Sequence, residues 1–337
     1  MKRILVLASI LIFSCSNDPQ NCDILIENGI IYDGTGDKPY KGVVAISNDK
    51  IIYVGKNKNF IADKVIDATD KAVSPGFINM LSWAYDTLMN DGRSLSDLKQ
   101  GVTLEVFGEG TSPGPSGNIE DNSYVSFGEA MQTLEDNGVS TNIASYLGAT
   151  TVRIQEIGYA NRKATDEEIK SMKNIVKLAM EQGAIGIGSS LIYAPADYAD
   201  TNELIELSKV ASAYGGRYIS HMRNEDSRIL SAVDELIEIA EQANIPAEIY
   251  HLKASRQANY HLLDSVISKV EEARSRGLKI TADMYTYTAS STGLTGVIPT
   301  WVQEGGREAW INRMKRPDIR KMLFADIKKE LSEQPPE

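Results

Sequence analysis

Residues 183–221, GAIGIGSSLIYAPADYADTNELIELSKVASAYGGRYISH, decide the fold. A short apolar run, Ala184 to Gly188, opens the stretch. Asp200, with Glu203 three residues on, then starts a helical pattern that continues to Tyr214 and stops at Gly215 and Gly216. Arg217 to His221 is a second apolar run of strand type. Strand, helix and strand in so short a span imply two parallel strands joined by a helical crossover.

The same unit repeats outward in both directions. Upstream, Thr165 to Gln182 carries a capping box, Thr165 with Glu168, and an apolar face of Ile169, Met172, Ile175, Val176 and Ala179 before Gly183. Downstream, a helix near Asp226 to Ala243 leads to a strand over Ala247 to His251, and a helix over Leu262 to Arg276 feeds Leu278 to Met284. This alternation fits an open doubly wound sheet as well as a barrel. The barrel is favoured by where the polar residues fall: His221, His251 and Asp283 each close a predicted strand, and barrel enzymes keep their sites at those ends. The expected class is therefore α/β, with a (β/α)8 TIM-type barrel over residues 75–337.

Residues 23–74 read differently. Asp23 to Asp33, Gly42 to Ser47 and Lys50 to Val54 alternate apolar and polar residues between Gly, Asn and Asp, the pattern of short antiparallel strands with tight turns. They are expected to form a small N-terminal β-sandwich. Ahead of it, Lys2 and Arg3 precede an apolar run from Ile4 to Phe13, then Ser14 and Cys15. That is an export signal, and the run is too short to span a hydrocarbon core of about 30 Å as a helix. Ile12-Phe13-Ser14-Cys15 resembles a bacterial lipobox. Residues 1–15 are thus expected to be a lipoprotein signal peptide with Cys15 as the lipidation site, and residues 16–22 a polar tether. The chain would be exported and lipid-anchored at the bacterial cell envelope. Cys22 is then left alone, so no disulfide is expected.

The 337 residues, 42% hydrophobic and 24% charged, suffice for one large core and one small one. Acidic residues outnumber basic ones by 46 to 35, a net charge of -11, and the basic residues are scattered. Binding to a phosphate backbone is disfavoured, and no nucleic-acid partner is expected.

His221 and His251 lie one strand-helix unit apart. Neighbouring strands run about 4.8 Å from each other, so two imidazoles at their ends can share one cation. Zinc takes nitrogen ligands at about 2.0 to 2.1 Å and needs a third protein ligand, leaving its fourth position to water. The nearest carboxylate candidate is Glu109, just past a predicted strand over Thr103 to Phe107, with Glu105 as its rival. A single zinc ion so held would lower the pKa of water toward about 7 and polarise a carbonyl, the two demands of amide hydrolysis. His261, in a polar connection after Tyr260, reads as structural or surface.

The segments GAIGIGSSLIYAP (183–195), GRYISHMRN (216–224), EIYHLK (248–253) and DMYTYTASST (283–292) together resemble the N-acyl-D-amino-acid deacylases, the D-aminoacylase branch of the amidohydrolase superfamily. The opening DILIENGIIYDGTG and the later VSPGFIN resemble the β-domain and first barrel strand of that superfamily. The resemblance runs in order from about residue 22 to residue 325. It implies a metal-dependent hydrolase of linear amides, with a small acylated amino acid as substrate. It makes His221 and His251 the metal ligands of strands five and six, and Lys253 the group that binds the substrate carboxylate. Tyr193, Tyr285, Ser291 and Arg223 become candidate pocket residues. Lys253 follows His251 by two residues, so on a strand both side chains point the same way.

Three departures accompany the matches. Where the family has His-x-His after its first strand, this chain reads Asn79-Met80-Leu81-Ser82-Trp83, and neither Leu81 nor Trp83 offers a ligand atom. The position of the family's metal-binding cysteine aligns with Gly110, beside Glu109. The family's catalytic aspartate belongs to strand eight, and the sequence to Glu337 contains no equivalent. The barrel is therefore expected to be incomplete, with its last strand missing and a C-terminal fragment as a possible partner completing it, because seven parallel strands leave two unpaired edges. Two alternatives stay open: a non-catalytic lipoprotein that binds a ligand or partner on a degenerate barrel, and a related amidohydrolase acting on cyclic amides or dipeptides.

Overall fold

From Phe77 onward each strand runs parallel to the one before it, in chain order. In the computed structural model, which describes residues 18–118 and 120–332, these strands are β1 (Phe77–Asn79), β2 (Val102–Phe107), β3 (Asn142–Ser145, resuming past Tyr146 as Leu147–Gly148), β4 (Gly186–Ser190), β5 (Arg217–His221), β6 (Ala247–Ile249) and β7 (Ile280–Ala282). β2 lies between β1 and β3, and the order then runs from Leu147–Gly148 through β4, β5 and β6 to β7, every pairing parallel. An open doubly wound sheet would reverse its strand order at some point. This one does not.

Helices return the chain between the strands. Asp166–Glu181 begins at a complete capping box: the Thr165 hydroxyl accepts from the Glu168 amide, and the Glu168 carboxylate accepts from the Thr165 amide at 2.8 Å. Thr201–Ala213 starts from Asp200, whose carboxylate accepts from Glu203 N at 2.9 Å. Ile229–Gln242 and Leu263–Ser275 follow β5 and β6. Their apolar faces pack on the strands in one continuous core that includes Leu147, Val152, Met172, Val176, Ile187, Leu204, Tyr218, Leu236 and Ile249. A smaller cluster of Val106, Tyr146, Ile219 and Tyr250 draws on β2, the interruption in β3, β5 and the residue that follows β6.

The boundaries shift where a cap uses residues that the apolar pattern assigns to a strand. β4 starts at Gly186 rather than Ala184, because the Ala184 amide closes the preceding helix by donating to Ala179 O at 3.0 Å. Helix Phe127–Asn137, with its own capping box at Ser126 and Glu129, and helix Ala149–Ile157 lie outside the sequence expectation. So do Gly306–Met314 and Pro317–Ser332, beyond β7.

The chain divides into two units, one ending at Gly76 and the other beginning at Phe77. The first holds a four-stranded sheet in the order Lys50–Gly55, Val43–Ser47, Gln20–Glu27, Phe60–Asp67, and a three-stranded sheet of Tyr40–Lys41, Ile30–Ile31 and Ala72–Val73. Two expectations need correction. Gln20, Asn21 and Cys22 are not tether: they pair with Phe60, Ile61 and Ala62 as the start of a strand. Nor are the strands all antiparallel, since Gln20–Glu27 pairs in parallel with Phe60–Asp67. Cys22 is free and buried beside Leu25, Val43 and Ala45. The expected signal peptide and its Cys15 lie outside the described residues. Among the described residues, no helix is long and apolar enough to cross a membrane.

Candidate metal centre

Three strands deliver three side chains to one point. His221 is the last residue of β5, and its side chain is buried. His251 stands two residues past β6 with φ at +38°, a left-handed conformation that costs a non-glycine residue about 1 to 3 kcal/mol. The Asp283 carboxylate, just past β7, offsets that cost by accepting from the His251 amide at 2.6 Å. Glu109 follows β2 between two glycines with positive φ, Gly108 at +108° and Gly110 at +73°. A Cβ on Gly108 would lie 2.4 Å from Tyr146 O, and one on Gly110 would lie 2.8 Å from Ser190 Cβ. The two glycines let the chain turn tightly enough to aim Glu109 at the imidazoles.

Glu109 Oε1 is 2.9 Å from His221 Nδ1 and 3.6 Å from His251 Nε2. The imidazole centroids are 4.5 Å apart, with the rings nearly perpendicular. One ligand atom from each of the three residues lies within 4.8 Å of the others. His221 Nε2 is buried and has no hydrogen-bond partner among the described residues. An oxygen and two nitrogens at this spacing match the donor set and size of a divalent transition-metal site.

The charges are interlocked. Burial pushes the Glu109 carboxyl up, but hydrogen bonds from His221 and His251 and their charges outweigh it and hold the group down at about 2. Burial opposes the charge on His251 too, yet the bonds to Glu109 and Glu225 and the charge of Glu225 raise it to about 9. Without a metal, a proton on His251 therefore neutralises part of the carboxylate charge at neutral pH.

Glu225 belongs to the cluster although sequence reasoning passed over it. Its Oε1 is 2.8 Å from His251 Nδ1, its Oε2 2.7 Å from Lys253 Nζ and 3.8 Å from His221 Nε2. Lys253 Nζ also approaches His251 Nδ1 to 3.1 Å. Because an ammonium only donates, the shorter bond from Nδ1–H to Glu225 is the one that fixes the ring. Burial raises the Glu225 carboxyl, and the hydrogen bond from His251 with the nearby positive charges brings it below its ordinary value. The available signal was HMRNE, a carboxylate four residues after His221.

The remaining expected residues divide. Lys253 lies 5.6 Å from the centre of the Tyr285 ring, and that ring lies 6.4 Å from the ring of His251. Tyr193 sits edge-on to His221 at 5.6 Å, its hydroxyl 2.7 Å from Thr292 Oγ1. Ser291 is exposed next to Thr292. Arg223 is not brought to the cluster. It turns toward helix Ile229–Gln242, where its guanidinium donates to both oxygens of Glu235 and to the carbonyls of Asp197 and Ala199. Glu105, the rival of Glu109, is fully buried and accepts from the hydroxyls of Ser82, Ser94 and Thr141.

Seven parallel strands in chain order, with three candidate ligand residues at their C-terminal ends, define an α/β protein of the TIM-barrel type. Comparison with known proteins narrows the class. No family model matches the chain. It is 29% identical over 291 residues to D-aminoacylase of Alcaligenes xylosoxydans xylosoxydans, a match covering 82% of this chain and 60% of that one. Identity to N-acyl-D-glutamate deacylase of the same organism is 28%, covering 81% of this chain and 58% of that one. A solved D-aminoacylase, described as defining a subset of the amidohydrolases, matches with a TM-score of 0.71 at 28% identity, over 80% of this chain and 59% of that one. Another D-aminoacylase structure, TM-score 0.70 at 27% identity over 79% of this chain and 59% of that one, concerns a binuclear metal centre with one-metal activation and second-metal attenuation. The chain is thus similar to these deacylases over about 80% of its own length, and it spans about 60% of the length of these relatives.

Proposed function

We propose that this chain carries the metal site of a hydrolase acting on the C–N bond of N-acyl-D-amino acids or closely related linear amides. The observation that carries the reading is the convergence of Glu109, His221 and His251, one ligand atom from each lying within 4.8 Å of the others. These three residues would hold one divalent ion, most simply zinc, which when bound polarises an acyl carbonyl and makes water acidic enough to ionise near neutral pH. Glu225 holds His251 in one tautomer, with Nδ1 protonated and Nε2 facing the cluster. Lys253, kept in place by the same carboxylate, is the cation available to a substrate carboxylate, and Tyr193 and Tyr285 flank it as walls of the pocket. Ser291 is the further pocket residue that the family resemblance supplies.

The finer architecture is part of the same reading. The seven ordered strands form part of an eight-stranded barrel, and the two small sheets of the first unit, from Gln20 onward, form a β-sandwich. Export and lipid anchoring at Cys15 rest on Lys2, Arg3, the apolar run and the lipobox-like ending. Mass spectrometry of the membrane fraction should find Cys15 as a lipidated mature N-terminus, and an unprocessed Met1 would dismiss the anchor.

Metal analysis tests the centre. The purified chain should hold about one zinc, and the variant with both His221→Ala and His251→Ala none. Equal zinc in both would remove the proposal. Assays of the zinc-loaded chain against acylated D- and L-amino acids, hydantoins and dipeptides separate the substrate classes, and preference for a hydantoin would redirect the reading to cyclic amides.

A further inference from the structure

Trp83 stands where its burial does not account for its position. The residue is 61% exposed, yet its indole N–H donates at 2.8 Å to Oε2 of Glu109, a residue that is 8% exposed. The segment before it is pinned: the Ser82 amide donates to Val106 O at 2.9 Å, and the Ser82 hydroxyl donates to Glu105 Oε2 at 2.7 Å. With so much of the residue in solvent, apolar packing contributes little, and the hydrogen bond is what fixes the indole. It divides the carboxylate between two tasks. Oε2 accepts from Trp83, while Oε1 faces His221 Nδ1 and His251 Nε2. An indole offers a donor and no acceptor, so it cannot ligate a cation, and a cation seated on Oε2 would have to displace it.

We infer that Trp83 is a positioning residue that makes Glu109 a one-oxygen ligand and limits the centre to a single ion. This inference rests on the proposed metal site. The ring does not touch the reacting atoms: it acts through Glu109, holding the carboxylate at one rotation and leaving one oxygen for the metal.

The test is zinc titration of the full chain against a chelating indicator, with stoichiometry read by metal analysis, for wild type, Trp83→Phe, Glu109→Ala and the double variant. Wild type should saturate at one zinc. Trp83→Phe keeps a ring but loses the donor, and should bind zinc about tenfold or more weakly, the usual effect of removing a group that orients a ligand. In the Glu109→Ala background the same change should have no further effect, an outcome that a merely structural role would not produce. Zinc should also shift the emission of Trp83, over a background from Trp301 and Trp310, and this reads the wild-type chain even if a variant fails to fold. Unchanged zinc affinity in Trp83→Phe, an equal loss in both backgrounds, or wild-type emission insensitive to zinc would overturn the inference while leaving the centre intact. Failure of the centre itself looks different: wild type would take up no zinc, and Glu109→Ala would match it.

Discussion

Glu225 accepts from two side chains at once, His251 Nδ1 and Lys253 Nζ, and so couples the imidazole proposed as a metal ligand to the ammonium proposed to meet the substrate. Glu225→Gln keeps the shape and removes the charge. One charge-assisted hydrogen bond contributes about 1.5 to 3 kcal/mol, so kcat/KM toward an acylated amino acid should fall roughly 10- to 150-fold, with one zinc still bound at saturating metal. Unchanged kinetics would show that neither partner depends on it. His251 gives a prediction in pH. Its pKa in the fold, about 9, lies above the ordinary value of 6.5, so the protonated ring stabilises the metal-free chain fully below pH 6.5. That contribution is lost as pH rises through 9. Glu109 has the opposite sign: held at about 2, it stabilises the fold above its ordinary 4.5, and the effect fades as pH falls toward 2. The metal-free melting temperature should therefore drop between pH 7 and 9.5 in wild type, and drop less in His251→Gln. Since a metal displaces the proton, zinc uptake at pH 7.5 should release about one proton, read by calorimetry in buffers of different ionisation heat. The histidines were legible because each closes or just follows an apolar run. Glu225 and Trp83 were not, because each acts through a contact made beyond the end of a strand, where no periodicity points.

At the scale of elements, what could be read was whatever carried its own start and stop signal. Helix Asp166–Glu181 and helix Thr201–Ala213 were recognisable from Thr165 with Glu168 and Asp200 with Glu203, and β5 agrees with the sequence at both ends. Strand Phe60–Asp67 was illegible for a physical reason: most of its residues are exposed, so it has no buried face to imprint an alternation on FIADKVID. Helix Phe127–Asn137 carries the same capping signature at Ser126 and Glu129, but it is five residues shorter than Asp166–Glu181, and only Phe127, Ala130 and Leu134 are buried to mark its apolar face. The cap energies can be checked directly. Thr165→Ala removes the hydroxyl that satisfies the Glu168 amide and should cost about 1 kcal/mol in chemical denaturation. Zinc affinity should stay at the wild-type value, since the cap stands at the start of a helix and the cluster at the ends of strands. A loss of zinc binding in this variant would show that the strand ends move with the helices around them.

On the scale of the molecule, the metal would act as a cross-link. Glu109, His221 and His251 follow β2, β5 and β6, so one ion would tie together strand ends that the chain brings close only after several helical crossovers. A ligand that binds only the folded state stabilises it by RT ln(1 + [L]/Kd), about 2.7 kcal/mol when free zinc exceeds its dissociation constant a hundredfold. Chelation should therefore lower the melting temperature, and added zinc should restore it. The location of the change is the sharper expectation. All three proposed ligands lie beyond Phe77, in the second of the two units. Hydrogen exchange after chelation should accelerate in the segments following β2, β5 and β6, and in the turn that holds His251 against Asp283, while the strands Gln20–Glu27 and Phe60–Asp67 keep their protection. Acceleration spread evenly over both units would mean that the ion stabilises the chain by some route other than this cluster, and the assignment of Glu109, His221 and His251 as its ligands would have to be withdrawn.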